Sequence, residues 1–361
     1  MKELIVNADN SSCKIYLDHN IETLESALGE HKITTNHKFF VITDDNIYGA
    51  YKEKLEGILK KYNYKIFIMK HGEDYKSYET VKDIYEFLLK NDGDRNSIII
   101  AFGGGIVGDI SGYVAATYMR GIKYINIPTT LMSMVDSSIG GKVAYNFNGI
   151  KNLIGTFYNP IFIFISVEFL KTLPRNEVIN GFSEVIKHGL LKDKNLLKYC
   201  KDNLNEIVAV KNDKLIYIIE RCIDIKNEIV KRDYKDNDFR NVLNFGHTIG
   251  HGIEVISNHQ ISHGYAVALG ILVELKISEY MMDLDEEVYN EMEKLFHTIG
   301  FPTKYKVDNM NMFMYAINHD KKNTNNNINF SLLEDVEKPI TKVIVSDKVI
   351  RESIRESIER R

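Results

Sequence analysis

The stretch AFGGGIVGDISGYVAATYMRG, residues 101–121, decides how the first half of the chain is read. It follows the apolar run SIIIAF (97–102) and passes through glycines into a helical pattern. Gly103, Gly105 and Gly108 satisfy G-x-G-x-x-G between a strand and a helix. Such glycines let the backbone approach a pyrophosphate, whose charge suits the helix N-terminus. A tight strand-to-helix turn needs the same glycines, so the motif alone is weak. The acid usually found ~20 residues further on to hold a ribose is missing after KYINIPTT (123–130). Asp44, in VITDDN (41–46), ends an earlier strand and can take that role. That placement predicts a strand order unlike a plain Rossmann unit. Asp109, directly behind the glycines, either contacts a nicotinamide ribose or serves the helix start as a charge.

Outward from this loop, short apolar strands alternate with amphipathic helices. FFVIT (39–43), KIFIM (65–69), KYINIP (123–128) and IFIFIS (161–166) are strand-like. YETVKDIYEFLLKN (78–91) puts Val81, Ile84, Tyr85 and Leu88 on one helical stripe. KELIV and CKIYL near the start read as a hairpin or sheet edge. The alternation predicts an α/β N-terminal domain with a parallel-rich, Rossmann-like sheet. Past FLKTLP (169–174) helical patterns dominate, at 176–191, 213–231, 239–257, 264–282, 286–299 and 346–360. The expected division is 1–173, the dinucleotide domain, and 174–361, an all-α C-terminal domain. KKNTNNNINF (321–330) reads as a polar loop.

The 361 residues are 44% hydrophobic with a net charge of −4, so nothing draws the whole chain to nucleic acid or an anionic membrane. Three cysteines without metal-ligand spacing read as reduced thiols. The N-terminus lacks the apolar core of a signal peptide, and the longest apolar run, IFIFISV, is of strand length. A cytoplasmic enzyme without nucleic-acid or membrane partners is expected.

NFGHTIGHGIEVISNHQISHG (244–264) packs His247, His251, His259 and His263 into one short region. His247 and His251 share a helical face, a spacing that suits zinc. GFSEVIKHG (181–189) offers Glu184, with Lys187 and His188 on the same side. A site of two histidines and a glutamate with open positions would be catalytic. The spacing leaves open which three groups ligate. Arg120, Lys142, Lys151, Lys187, Lys226, Arg240 and Lys321 lie at helix ends or in turns, most densely in SSIGGKVAYNFNGIKN (137–152). Together they suit a small, multiply anionic substrate.

These residues resemble the 3-dehydroquinate synthase family of sugar phosphate cyclases. The likeness runs through HGEDYKSYET (71–80), GGGIVGDISGYVAATYMRG (103–121), IPTTLMSMVDSSIGGKVAYN (127–146), KNLIGTFYNP (151–160), GFSEVIKHGLL (181–191), LNFGHTIGHGIE (243–254), HGYAVALG (263–270) and HDKKN (319–323). It implies a homodimer using NAD and a divalent metal, zinc or cobalt. By motif, the metal ligands would be Glu184, His247 and His263, with His251 a proton carrier. NAD would meet Asp44, Gly72, Glu73, Lys76, Gly105, Ile106, Val107, Gly108, Asp109, Thr129, Thr130, Lys142, Lys151, Phe169, Leu170, Lys171 and Thr172. Lys226 and Arg240 would take a substrate carboxylate. Asn152, Asn244, Lys142, Lys321 and Arg120 would surround a phosphate, Arg120 reaching from the partner subunit. Asp136 and Lys187 would hold ring hydroxyls. The implied substrate is DAHP, 3-deoxy-D-arabino-heptulosonate 7-phosphate. The implied course is transient oxidation by NAD, phosphate elimination, re-reduction and intramolecular aldol closure.

The chain departs from the family pattern at three places. His71 stands where an aspartate usually precedes GE, and Asn329 replaces a frequent basic residue. Tyr265 follows HG where an acid is common, so the sequence does not say what orients His263. Competing readings are another sugar phosphate cyclase, a metal-dependent polyol or glycerol phosphate dehydrogenase, and a non-catalytic NAD-sensing module. The pair Lys226 and Arg240 argues against a substrate without a carboxylate. GGKVAYN with Lys187 exceeds what a simple dehydrogenase needs.

Overall fold

The computed structural model describes residues 1–8, 11–258, 260–318 and 328–360. His259 and Lys321 lie outside them. The chain forms two compact units that interleave in sequence. The first is Met1–Pro174 with Leu215–Asn227, the second Arg175–Lys214 with Glu228–Arg361.

The first unit is built on a seven-stranded sheet. Its strands are β1 (Lys2–Ala8), β2 (Ser11–Asp18), β3 (Lys38–Asp44), β4 (Asn63–Met69), β5 (Ile98–Gly103), β6 (Lys123–Pro128) and, after a separate hairpin, β9 (Phe162–Ser166). The spatial order is β1-β2-β9-β6-β5-β3-β4. β1 and β2 pair antiparallel at one edge, and every other pairing is parallel. β5 and β9 are buried along their whole length, as continuous apolar runs in the middle of a parallel sheet must be. Helices α1 (Leu24–Glu30), α2 (Asp45–Leu59), α3 (Tyr78–Lys90) and α4 (Gly105–Thr117) make the connections. Val81, Ile84 and Leu88 of α3 and Ile110 and Val114 of α4 join Phe40, Ile42 and Ile99 in one core.

The strand order reverses where β3 and β5 lie side by side. From β3 the chain runs outward to the edge strand β4, whereas β5 leads through β6 towards β9. Thr43 stands opposite Phe102, so Asp44 and Gly103 leave the sheet as neighbours. Such a reversal opens a crevice at the carboxyl ends of strands, the usual place for a dinucleotide.

SSIGGKVAYNFNGIKN is not a loose turn but half of a second sheet. β7 (Lys142–Phe147) and β8 (Ile150–Phe157) form an antiparallel hairpin. Its turn is Asn148–Gly149, both at positive φ (50° and 77°), the type I′ geometry that matches strand twist. The register slips between Tyr145 and Phe147, and Asn152 sits in the resulting bulge at φ 51°.

The second unit is predominantly helical. It comprises α5 (Arg175–Lys192), α6 (Lys194–Asp202), α7 (Leu204–Val208), the ends of α8 (Asn212–Arg232), α9 (His247–Ile256), α10 (His263–Met282), α11 (Glu286–Ile299), α12 (Met310–Asn318) and α13 (Asp347–Glu356). It also carries an unforeseen antiparallel pair, β10 (Asn329–Asp335) and β11 (Lys338–Ile344). The helix expected over 239–257 divides into a 3-10 segment, Phe239–Asn244, and α9. Gly246, at φ 81°, makes the break. α10 is apolar nearly all round and lies buried among α5, α9, α11, α13 and β10. Among the described residues no helix is long and apolar enough to cross a membrane. All three cysteines are buried and none is in a disulfide, and burial pushes the thiols of Cys13 and Cys200 up to about 12.

Candidate active site

In the first unit, α4 starts at Gly105 behind Gly104, and no side chain caps it. The amides of Gly105, Ile106 and Val107 precede the first helical hydrogen bond, from Gly108 N to Gly104 O. The glycines also serve packing. A Cβ at Gly103 would lie 2.6 Å from Val107 Cγ2, and one at Gly105 would lie 2.9 Å from Ser137 Oγ. One at Gly108 would only touch the Asn126 amide, at 3.4 Å. Beside this helix start lies a recess lined by Gly105, Asp109, Asn126, Ser137 and Lys142.

Asp44 caps α2 by accepting from Ile47 N at 2.9 Å. Burial pushes its carboxyl above the ordinary value, against the pull of the Ile47 and Asn46 amides. Asp109 does not cap α4; it pairs with Lys76 Nζ at 2.5 Å. Burial raises its pKa, while the Lys76 charge opposes the rise. Lys76 is itself buried and also donates to Asn152 Oδ1. Asn146 Nδ2 donates to Glu73 Oε1 at 2.8 Å, and the Asn152 amide donates to Asn146 Oδ1 at 2.8 Å. The bulged hairpin is thereby stitched to the loop of Gly72, Glu73 and Lys76.

Other expected nucleotide contacts have structural duties. Thr130 Oγ1 accepts from Ser133 N, and Thr129 is buried with an unpartnered hydroxyl. Phe169 and Leu170 point into the core, Phe169 edge-on to Tyr51 and Phe102. Thr172 Oγ1 is 2.6 Å from Tyr51 Oη. Lys171 is exposed, Lys151 half-buried and Arg120 exposed at φ 68°. Asp136 lies in a π-helical turn, Ser133–Ser137. Lys226 Nζ donates to both its carbonyl and its Oδ1 at 2.6 Å.

In the second unit, glycines bring three helices together. A Cβ at Gly270 would run into Gly246 O, and one at Gly250 would sit 3.1 Å from Ala266 O, so α9 and α10 meet backbone to backbone. Gly264 abuts Asn180 of α5, whose Oδ1 accepts its amide at 2.6 Å. One turn on from Asn180, Glu184 faces the first residues of α9 and α10, His247 and His263. Glu184 Oε1 is buried and makes no hydrogen bond. It stands 3.6 Å from His247 Nε2 and 4.0 Å from His263 Nε2. Lys187 pairs with Glu184 Oε2, and both side chains are almost fully buried.

The other ring nitrogens explain this arrangement. His247 Nδ1 lies 3.2 Å from Phe245 O, and His263 Nδ1 lies 3.0 Å from Glu254 Oε1. Both partners can only accept, so in the neutral rings Nδ1 carries the proton and each Nε2 keeps its lone pair. One atom from each of Glu184, His247 and His263 lies within 4.8 Å of the others. A buried carboxylate oxygen without a hydrogen bond, facing two histidine nitrogens, fits a cation. The His251 ring stands 5.5 Å from that of His247 and 6.1 Å from that of His263. Tyr265 packs on Phe301, and Glu254 orients His263 instead. Glu254 carries a sequence signal after all, since it shares a helical stripe with His247 and His251 at i, i+4 and i+7.

Arg240 is buried and donates from Nη1 to Tyr234 O at 2.8 Å. Asp233 binds the amides of Asn237, Asp238 and Arg240, shaping the loop that presents this arginine. Burial would push Asp233 up, but the three amides outweigh it and hold the carboxyl below its ordinary range. Asn244 Nδ2 donates to Asn241 Oδ1 at 3.1 Å.

A family model described as "3-dehydroquinate synthase N-terminal" matches residues 66–180, and one described as "3-dehydroquinate synthase C-terminal" matches 181–323. A 3-dehydroquinate synthase of Clostridium tetani (strain Massachusetts / E88) is 53% identical over 358 residues, 99% of this chain and 95% of that protein. A 2-deoxy-scyllo-inosose synthase solved with carbaglucose-6-phosphate, NAD+ and Co2+ superposes with a TM-score of 0.90 at 26% identity, covering 99% of this chain and 100% of that one. A probable glycerol dehydrogenase from Sinorhizobium meliloti 1021 shares the fold alone, with a TM-score of 0.67 at 15% identity over 95% of each chain. Two matching halves and a relative alike from end to end lead to one conclusion: the chain belongs to the 3-dehydroquinate synthase family.

Proposed function

We propose that this chain converts DAHP to 3-dehydroquinate and inorganic phosphate, as a cytoplasmic homodimer using NAD and one divalent metal, zinc or cobalt. The observation that carries the reading is the orphaned Glu184 Oε1 facing two histidine lone pairs, in a chain of this family. Glu184, His247 and His263 would hold the metal. The chemistry supplied by the bound groups is polarisation of a ring hydroxyl and reversible acceptance of a hydride.

The chain's own residues bind, orient and move protons. The free amides of Gly105, Ile106 and Val107, with Gly108, receive the pyrophosphate, and Asp44 a ribose. Gly72, Glu73, Lys76, Asp109, Thr129, Thr130, Lys142, Lys151 and the segment Phe169–Thr172 complete the nucleotide site. Phe169 and Leu170 contribute main chain, because their side chains are core. Lys226 and Arg240 take the substrate carboxylate. Lys142, Asn152, Asn244 and Lys321 hold the phosphate, joined by Arg120 of the other protomer. Asp136 and Lys187 orient ring hydroxyls. Lys187 lies buried against Glu184, out of reach of screening water. His251 carries the proton of the reacting hydroxyl.

The test is phosphate release from DAHP with NAD far below substrate. Many turnovers per NAD, lost on chelation, are expected. NADH accumulating on a polyol without phosphate release would favour the dehydrogenase reading instead.

A further inference from the structure

We propose that Glu254 is a positioning residue that fixes His263 for metal binding, half of a carboxylate exchange between α9 and α10. The proposal rests on the metal reading above. His247 is the first residue of α9 and His263 the first residue of α10. A side chain in a first helical turn is held by little of its own helix. The His263 ring is 36% exposed, against 13% for His247, so packing orients it less. Its orientation rests on Nδ1, 3.0 Å from Glu254 Oε1. The Glu254 side chain is 3% exposed, an expensive place for a carboxylate without a task.

The arrangement is reciprocal. Glu254 of α9 holds the first residue of α10. Glu274 of α10, fully buried, accepts from the amide of Gly246, which opens α9 immediately before His247. Each of the two candidate histidine ligands thus starts a helix whose first turn is gripped by a carboxylate of the other helix. Turning either helix about its axis would strip the opposite histidine of its support. The two donors therefore keep a common geometry with Glu184 before any cation arrives.

Geometry alone offers a rival, because Glu254 also lies within ligand distance of His251 and His263. Titration of the purified metal-free protein with Zn2+ against a chelator, and the visible spectrum of its Co2+ form, separate the two. Wild type should bind one metal per chain. Glu254→Ala should weaken binding about 10–100-fold and alter the cobalt spectrum, with NAD affinity unchanged. Glu254→Asp, too short to reach Nδ1, should behave alike. Glu254→Gln, whose amide oxygen still accepts from Nδ1, should recover most of the affinity. If the alanine variant does not fold, the aspartate variant decides. Wild-type affinity and spectrum in whichever of the two folds would overturn the proposal. A loss as complete as that of Glu184→Ala would make Glu254 a ligand and overturn it as well. Failure of the wild type to bind metal would instead sink the parent reading.

Discussion

The glycine loop of the first unit and the histidine cluster of the second carry functional signals of different quality. In the loop most residues have a second employer. Gly103 makes room for Val107, Gly105 for Ser137, Asp44 caps α2 and Thr130 caps the following turn. Packing alone could account for each of them. In the cluster packing explains the glycines that bring α9 and α10 together, but not the inward-facing acceptors. Glu184 Oε1, His247 Nε2 and His263 Nε2 face one another while their other atoms are already committed. A buried carboxylate oxygen without a hydrogen bond is expensive unless something fills the space it faces. An unbalanced electrostatic account is thus a sharper pointer to a ligand than a motif most of whose residues have structural work.

Breaking the cluster should have the largest effect. Glu184→Gln keeps the volume but removes the charge. Turnover should fall by about 10^3-fold or more, since a metal contributes several kcal/mol to the transition state. Metal content per chain, measured on the purified variant, should fall with it. Retained metal and activity would reduce the cluster to helix packing.

Two glycine substitutions, one inside α4 at Gly112 and one at its start at Gly108, separate packing from binding. Gly112→Ala drives a methyl into Val143 of β7. It should destabilise the first unit by about 1–3 kcal/mol, partly offset by the better helix propensity of alanine. Denaturant midpoints measure this, and no gap in stability would mean that the hairpin yields freely. Gly108→Ala meets only ordinary contact at Asn126. Its stability should match or exceed wild type, while NAD affinity drops about tenfold, or 1.4 kcal/mol. Unchanged NAD titrations would leave the loop a packing device alone.

The smallest effect sharpens the comparison from the acid side. The folded-state pKa of Asp233 is depressed, so its contribution is present above the unfolded-chain value near about 3.9. It is lost as pH falls through the lower folded value. Melting temperatures of wild type and Asp233→Asn should therefore differ at neutral pH and converge in strong acid. A gap independent of pH would show that the asparagine fails for reasons of shape.

Much of the fold was legible because its signals are local. Continuous apolar runs marked β5, β6 and β9, and the Val81–Ile84–Leu88 stripe marked α3. The hairpin β7–β8 is harder to read: Asn148–Gly149 is the strongest short hairpin signal, but Lys142 and Lys151 lie in its strands and give the stretch the look of a basic turn. β10 and β11 escaped since Lys338, Pro339 and Lys342 break up the apolar alternation of the second strand. The placement of Asp44 beside Gly103 depends on β5 inserting next to β3, a pairing that no local pattern states. The site was legible as a set of residue types, not as a geometry. Four nearby histidines did not reveal which nitrogens meet Glu184. That follows from two helices crossing at glycines and from protons fixed by Phe245 O and Glu254.

The interleaving of the two units has a consequence for how the chain is made. The stretch Leu215–Asn227, with Lys226 locked onto Asp136, belongs to a unit whose other residues all precede Arg175. During synthesis the sheet of that unit can emerge whole from the ribosome and still wait for a segment some fifty residues behind it. At 5–20 residues per second that interval lasts several seconds. Throughout it, Asp136 has no lysine and the surface that Leu215–Asn227 will cover stays open. A nascent chain arrested shortly before Lys226 should be far more open to protease than one arrested well after it.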